Sequence, residues 1–591
     1  MTASPPATAP TVRRPPEAIW WLAIALLHVV AVQFLAERLA FAWMYIPLCI
    51  AVWLAARRGL FGIDLPLCLA GAACYLLAEP ATGFGWAIFL PFAAFIPVIR
   101  RASSVRVAFV KGLWTGFIIA SGIYGWIWPT AARFLDAGVL RVVPIYMAVS
   151  LLIAVQIAAF FALAALLSLR SRLSLPLVIP PVYTVCEYWL SLPMGIPLPL
   201  AFAFHPVWIQ TLDLAGVAGT TLLIVCCGVA ISHMIERILQ RDRAGALRGA
   251  AVVSGLLILQ LSYGALRMGR GDDDAAGISF RIVQPVSPLR VPNAAVELQN
   301  QIADRLVKLS NPPDSTPVDV VVWPEGAASF SPTSPSFNAP YFRAMRESQE
   351  ATSATIVAHG VDFERQRAGG KLQYRSAIFA VKPSGTISGV YHKRALMPIG
   401  EYLPMESTFP ILRRMFPEAR SIISGDGEFR PLELGETAIA PVICYEVLFP
   451  VPVSKLCRAG AGIIVVLTND RWYGLRQQPP QHMAFAILRA IENRRPVVRG
   501  AHSGISAFIE SDGRVLPGRS TVVEEVTSLT GIVSPGAQFS VYTRTGDAMV
   551  RYLMTPVVAV MLLWGWRRRA DPPIESTRSK PGKAGKKAHG R

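Results

Sequence analysis

Charge is what this sequence has least of. Only 16% of its 591 residues are Asp, Glu, Lys or Arg, against about 25% in an ordinary soluble domain. That deficit excludes a water-soluble globule as a description of the whole chain, and the 53% hydrophobic content and mean hydropathy of +0.43 agree. Acidic residues are scarcer than basic ones, 38 against 57, for a formal charge of +19. Such an excess could suit a nucleic-acid binder, but nine of the basic residues fall in the stretch Arg567–Arg591, which has no aromatic residue to stack on a base. Paired cysteines are also lacking. Cys49, Cys68, Cys74, Cys186, Cys226 and Cys227 lie in apolar runs, which leaves Cys444 and Cys457 in the polar part. No CxxC pair and no Cys/His cluster has zinc spacing, so neither a disulfide framework nor a metal site is expected. No small-residue cleavage site follows the first apolar run, which reads as a retained anchor. Internal repeats are absent, and low complexity is confined to the Pro-rich start and the basic tail.

Long apolar runs, by contrast, are abundant. A spanning helix needs about 20 mostly apolar residues. Nine candidate spans precede residue 270, with cores near 18–36, 41–56, 62–79, 83–99, 107–127, 143–167, 174–191, 211–234 and 248–267, and a tenth lies near 550–566. Lys and Arg cluster in alternate loops: Arg13 and Arg14, Arg57 and Arg58, Arg100 to Arg106, Arg170 and Arg172, Arg237 to Arg243, and the tail. Arg38, Arg133 and Arg141 are exceptions. By the positive-inside rule both termini are expected in the cytoplasm, and an odd number of spans puts the polar part outside. The expected organisation is a cytoplasmic segment 1–17, a helical bundle 18–269, an outer domain 270–545, a C-terminal span 546–568 and a disordered cytoplasmic tail 569–591. Two polar residues fall in or near spans: Glu187 is a functional candidate by default, and Lys111 is expected to snorkel.

The outer domain reads as α/β. Short β-rich runs at Ser279–Val283, Val318–Trp323, Thr355–His359, Ala377–Val381, Ala438–Ile443 and Ile463–Thr468 alternate with helical stretches such as Asn293–Leu309 and Gln481–Asn493. Three strings end predicted strands: V-V-W-P-E-G-A at 321–327, Y-H-K-R-A-L-M-P-I-G-E-Y-L-P at 391–404 and V-I-C-Y-E at 442–446. They deliver Glu325, Lys393 and Cys444. A thiol of ordinary pKa is mostly protonated at neutral pH and needs a base or a cationic neighbour. A carboxylate can take the proton, and a lysine can stabilise the oxyanion that forms when a thiolate attacks a carbonyl. Singly, each has a structural reading: a buried thiol, a solvated strand end, a surface lysine beside Arg394. Their joint occurrence favours a thioester-forming site.

This joint pattern resembles the nitrilase (carbon–nitrogen hydrolase) superfamily, with its Glu-Lys-Cys triad on a four-layer α-β-β-α sandwich. With a helical membrane bundle before the domain and a helix after it, the ordered set is similar to the apolipoprotein N-acyltransferase family from about residue 70 to 566. The shared strings include W-P-E at Trp323–Glu325, P-x-G-E-Y-x-P at Pro398–Pro404, I-C-Y-E at Ile443–Glu446, N-D-x-W-Y-G at Asn469–Gly474, Q-H at Gln481–His482, R-A-x-E at Arg489–Glu492 and Y-x-R-T-G-D at Tyr542–Asp547. In the bundle, G-L-W-T-G-F at Gly112–Phe117 and Trp126 beyond it agree. The resemblance implies a two-step reaction without cofactor. Cys444 takes an acyl chain from a membrane phospholipid as a thioester and passes it to the α-amine of diacylglyceryl-cysteine on an apolipoprotein. It further implies Glu325 as general base, Lys393 as oxyanion partner, support from Glu401, Tyr445 and Glu446, and a monomer in the bacterial inner membrane with its catalytic domain in the periplasm. Trp323, Asn469, Trp472, Tyr473 and His502 are candidates to face substrate.

The chain departs from that pattern at V-Q-P-V (Val283–Val286), at G-I-P-L (Gly195–Leu198), where aromatics are usual, at Arg471 in place of a small residue, at A-H-S-G (Ala501–Gly504) and in two extra N-terminal helices. His502 and Ser503 read either as a second catalytic pair or, preferred, as a polar loop supporting the site. The departures keep open a membrane-tethered amidase, or an acyltransferase with another acceptor. A transporter or receptor with an inert outer domain would leave the triad unexplained.

Overall fold

A computed structural model describes residues 64–567 apart from 136–138, 172, 192–194, 270–276, 289–295, 314–315, 329–330, 332–338, 366–371, 418 and 475. The expected spans near 18–36 and 41–56, the segment 1–17 and the tail 569–591 lie outside these residues.

The helical part begins with α1 (Asp64–Leu77), then a short 3₁₀ turn (Gly85–Phe89) leading to α2 (Pro91–Arg100), α3 (Val105–Ile123), α4 (Ile127–Leu135), α5 (Val139–Ser171), α6 (Leu175–Leu190), α7 (Leu212–Leu239) and α8 (Arg243–Arg267). Among the described residues α3, α5, α7, α8 and the helix Met549–Arg567 are long and apolar enough to cross a membrane. α1 and α2 are shorter apolar helices, and α6 has 16 residues. Hydrocarbon offers no partner for a free N–H or C=O, so apolar runs of this length must close their hydrogen bonds as helices. Close packing then selects the pairs. A Cβ at Gly112 would come within 2.8 Å of Phe161, and one at Gly116 within 2.8 Å of Ala154 O, so these two glycines let α3 lie directly on α5. α8 and the last helix leave Ile258, Leu259, Leu266, Tyr552, Val560 and Leu563 exposed, an apolar rim that suits lipid.

Two of the bundle's polar residues, Lys111 and Glu187, are tied down. Lys111 does not snorkel: it is 6% exposed and paired to Asp64, which also holds Arg101 at 2.6 Å. A buried partner removes the reason to reach for water. Glu187 accepts from Leu198 N at 3.0 Å and from the Thr221 hydroxyl, which fastens the 195–198 loop to α6 and α7.

The α/β domain holds two six-stranded mixed sheets. The first has the order β12-β1-β2-β3-β4-β5, with β1 (Ile278–Gln284), β2 (Val320–Trp323), β3 (Thr355–Arg365), β4 (Leu372–Val381), β5 (Ile387–His392) and β12 (Thr527–Val533). The second has the order β11-β10-β9-β8-β7-β6, with β6 (Leu432–Leu434), β7 (Thr437–Ile443), β8 (Ile463–Thr468), β9 (Val497–Ala501), β10 (Ala507–Ile509) and β11 (Val515–Ser520). The central triplets β1-β2-β3 and β7-β8-β9 are parallel. Parallel strands are covered on both faces, and β8 (I-I-V-V-L-T) is buried along its whole length.

Strand alternation sorts the layers. Phe280, Ile282, Val320, Val322, Val357 and Ile378 face the second sheet and share a core with Ile439, Val442, Ile464 and Val466. Val283, Val321, Trp323, Ile356 and Phe379 face outward onto α9 (Val296–Ser310) and α10 (Ala339–Thr352), meeting Ile302, Leu306, Tyr341 and Met345. On the far side, α11 (Pro450–Arg458) and α12 (Gln478–Asn493) cover the second sheet. The result is an α-β-β-α sandwich whose last element, α13 (Thr555–Arg567), returns to the bundle.

One carboxylate joins the two parts. Asp213, at the start of α7, accepts from Tyr263 (2.7 Å) and Arg267 (2.8 Å) of α8 and from Arg494 (2.7 Å) at the end of α12.

Candidate active site

Strand ends from both sheets converge at the seam facing the bundle. Glu325 lies two residues beyond β2, Lys393 directly follows β5 and Cys444 directly follows β7. Lys393, 1% exposed, places Nζ 2.7 Å from Glu401 and 3.8 Å from Glu325. The Cys444 thiol donates to the Glu325 carboxylate. Glu325 Oε2 accepts from Asn469 N at 3.0 Å, so the loop after β8 aims the carboxylate.

Cys444 has φ +49°, in the left-handed region that a non-glycine residue enters only when its surroundings hold it there. Glu446 holds it from one side. Its carboxylate accepts from Ile443 N (2.9 Å) at the end of β7, and from Arg394 N (2.7 Å), Ala395 N (3.2 Å) and the Tyr391 hydroxyl (3.0 Å) of the first sheet. One side chain therefore sets the spacing between the segments that carry Lys393 and Cys444. From the other side, His482 Nε2 lies 3.2 Å from Cys444 O. His482 Nδ1 is 2.7 Å from Asp470, and Asp470 is 2.7 Å from Arg499. Glu401 has its own brace in Met397 N at 2.8 Å.

The electrostatics follow from burial and neighbours. Burial pushes the Cys444 thiol well above its ordinary value, Glu325 adds to this, and Lys393 opposes it. Burial also raises the Glu325 carboxyl, against the pull of Lys393. Burial alone would lower the Lys393 ammonium, but Glu401 and Glu325 outweigh it and hold it well above the usual lysine range. Burial opposes charge on Asp470 too, yet Arg499 and His482 keep its carboxyl below its ordinary range. The site sets a thiol that is hydrogen-bonded to a carboxylate beside a fixed cation, the set required to make and stabilise a thiolate on demand.

A cavity of about 430 Å³, open mouth included, reaches Cys444 from the bundle side. Tyr445 and Tyr473 from the sandwich line it, with Tyr124, Trp126 and Ile196 from the bundle. Gln481 accepts from Trp126 Nε1 at 2.9 Å and donates to Glu79 and to Ile123 O, so α12 is hydrogen-bonded to the bundle at the cavity wall.

Of the residues read as facing substrate, Tyr473 lines this cavity and packs edge-on to Trp126. Trp472 packs on Phe134 of α4 beside it. Asn469 works through its backbone on Glu325. Trp323 and His502 lie elsewhere. Trp323 is fully buried on the helix side of the first sheet, its indole bonded to Ser310 at 3.0 Å, because residues alternate faces along β2. His502 is fully buried, with Nε2 2.6 Å from the Ser287 hydroxyl, and ties β9 to the loop after β1. Ser503 is 1% exposed beside it. The departures at 283–286 and 501–504 thus meet each other: Val286 N donates to His502 O at 3.1 Å. Arg471 donates to Ser287 O in the same corner. The exceptional Arg133 donates to the backbone carbonyl of Arg471 at 3.3 Å, which accounts for a cation on the side of the α/β domain. The sequence reading missed the Arg499–Asp470–His482 relay and Tyr124. The Q-H pair opening a helix after N-D-x-W-Y-G was the available signal.

The chain matches the family described as carbon-nitrogen hydrolase over residues 287–533 and that described as apolipoprotein N-acyltransferase N-terminal domain over residues 70–230. It is 27% identical over 518 residues to the apolipoprotein N-acyltransferase of Geobacter metallireducens, covering 84% of this chain and 94% of that one. It is 29% identical over 517 residues to that of Allorhizobium ampelinum, covering 80% and 91%. Against that of Bradyrhizobium diazoefficiens it is 31% identical over 389 residues, covering 63% and 67%.

Proposed function

The chain belongs to the apolipoprotein N-acyltransferases, acyltransferases of the nitrilase superfamily carried on membrane helices, and from that premise we propose that it works by a ping-pong route through Cys444. In the first half-reaction Glu325 takes the thiol proton and the thiolate attacks an ester carbonyl of a membrane phospholipid. The carbonyl oxygen becomes an oxyanion beside Lys393. Collapse breaks the ester C–O bond, Glu325 returns its proton to the leaving alkoxide, and a lysophospholipid departs from a Cys444 thioester. In the second, the α-amine of a diacylglyceryl-cysteine attacks that thioester and Glu325 accepts the amine proton. Collapse then breaks the C–S bond, leaving an amide on the acceptor, and the proton returns to the thiolate. Glu401 keeps Lys393 in place, and Glu446 keeps Lys393 and Cys444 in register.

The observation that carries this reading is the meeting of Glu325, Lys393 and Cys444 from three strand ends, with Cys444 lining a cavity walled by the bundle. Both substrates are lipid-anchored, so a site opening toward the helices receives them without their leaving the membrane. Cys444 is 5% exposed, which keeps bulk water from the thioester. The charge pattern of the loops supports an inner-membrane protein with the α/β domain in the periplasm and both termini in the cytoplasm.

Intact-protein mass spectrometry tests it. Purified protein incubated with phospholipid gains one acyl mass on Cys444, and the mass disappears as a synthetic diacylated lipopeptide gains a third chain. A folded sample that never acquires the adduct overturns the acyl-enzyme route. An adduct that never discharges to the lipopeptide points to a different acceptor.

A further inference from the structure

Gln477, Gln478 and Gln481 lie together at the start of α12, and two of them are spent on the bundle. Gln477 donates to Glu79 at 3.2 Å and to Gly122 O at 2.9 Å. Gln481 donates to Glu79 and accepts from Trp126. Gln478 is different. It is 6% exposed and lines the cavity at Cys444, yet its amide oxygen is buried with no hydrogen-bond partner among the described residues. Other polar side chains of the same lining are engaged: Tyr124 with the backbone of Ile196, Tyr473 with Met397 Sδ and His482 with Asp470. A sealed acceptor left unpaired is destabilising, so it calls for a use. Pro479 and Pro480 follow Gln478 in the first turn and fix the backbone that carries it. The last torsion of a glutamine is broad, so the oxygen can turn to the cavity without moving that backbone.

We propose that Gln478 receives the attacking amine of the acceptor in the second half-reaction, its amide oxygen accepting the N–H that Glu325 does not take. The inference rests on the thioester reading above and adds to it a residue that selects the acceptor. When a primary amine forms the C–N bond to the thioester carbonyl, its nitrogen becomes positive and carries two N–H groups. Glu325 takes one proton. The other N–H stays on nitrogen while the C–S bond breaks, and it becomes the N–H of the product amide. Buried without a partner, that N–H would oppose the reaction, and a hydrogen bond from a nitrogen bearing charge is among the stronger ones. Gln478 supplies the partner. A secondary amine or an alcohol has a single hydrogen, spends it on Glu325 and leaves Gln478 unpaired. A site built to bond a substrate N–H rejects an analogue that lacks it, so this site favours a primary amine.

The test uses the full-length protein in detergent, phosphatidylethanolamine as donor, and two synthetic diacylated lipopeptides, one with a primary α-amine and one with that amine N-methylated. Intact mass follows the rate at which Cys444 gains the acyl mass and the rate at which each lipopeptide discharges it. Gln478→Met keeps the length of the side chain and removes the amide. It should lower the ratio of discharge to acylation at least about tenfold with the primary amine, and the loss should shrink with the N-methyl form. Its melting temperature should hold or rise, because an unpaired buried oxygen is gone. Gln478→Glu, which keeps an acceptor oxygen, should restore most of the ratio. Should Gln478→Met fail to fold, Gln478→Ala carries the same expectation for the ratio. Both half-reactions slowed alike, an equal loss with both lipopeptides, or a Gln478→Glu protein as slow in discharge as Gln478→Met overturns the inference while leaving the acyl-enzyme intact. A wild-type protein that never gains the acyl mass overturns the acyl-enzyme reading itself, and this inference with it.

Discussion

The two sheets bring different things to the seam. The first supplies charge: Glu325 and Lys393 sit on its strand ends, and Glu401 lies on the loop beyond β5. The second supplies Cys444, the proposed nucleophile, in a left-handed backbone, together with the Asp470–His482 pair beside its carbonyl. Neither sheet is a site alone. A thiol without the first sheet would be a buried cysteine like Cys457: burial pushes its thiol up to about 12, and among the described residues no carboxylate accepts a hydrogen bond from it. The lesson is that the proposed catalytic unit is the junction, held by cross-seam contacts such as those of Glu446.

The comparison can be broken most severely by removing one sheet's contribution outright. Glu325→Gln changes no residue of the second sheet but takes away the proposed base. Acylation of Cys444 should slow by about 10²–10⁴-fold, read as the rate at which the adduct mass appears. Wild-type acylation should also fall on acidification at a pH above the usual carboxylate range, because the Glu325 carboxyl titrates high and is a base only when ionised.

Loosening the junction without touching either reacting group should have the next largest effect. Glu446→Gln turns an acceptor of four hydrogen bonds into a group whose NH₂ faces N–H donors. Stability should fall by about 1–3 kcal/mol, and kcat should fall more than KM rises, since geometry rather than binding is lost. A thermal melt with steady-state kinetics distinguishes these, and an unchanged kcat would show that the seam does not depend on this brace.

The smallest effect is expected behind the seam. Burial pushes His502 down to about 3 from an ordinary 6.5. Below pH 6.5 the unfolded chain takes up a proton there and the folded chain does not, so stability should decline as pH falls from about 6.5 toward 3. His502→Gln should flatten that decline in thermal melts against pH, with little change at neutral pH.

Much of this architecture is legible in the sequence. Apolar runs of membrane length, β-rich runs ending in a reactive residue, and the three reactive types themselves can be read in order along the chain. The misreadings have common causes. β5 (I-S-G-V-Y-H) is expected only as the strand that the Y-H-K string ends, without bounds of its own, because Ser, Gly and His interrupt its apolar pattern, and the short β6 and β10 are too brief to show alternation. Trp323 was expected at the substrate because it adjoins Glu325. All four residues of β2 are buried, so nothing in V-V-V-W reveals which parity faces the helices. Lys111 looked like a snorkelling lysine because its partner Asp64 lies 47 residues away.

The sequence by itself determined that helices would form, that an α/β domain would follow them, and which residue types would carry the chemistry. Those outcomes rest on burying apolar side chains and closing backbone hydrogen bonds, which depend on local composition. Only the tertiary structure decided that Glu446 would brace Arg394 N from 52 residues away, that Asp470 and His482 would hold the backbone of Cys444, and that Gln481 would tie α12 to Glu79 of the bundle. Apolar burial is tolerant of direction and partner. A hydrogen bond is not: it requires two atoms about 3 Å apart and aligned, and for segments distant in sequence only the completed packing can bring them there.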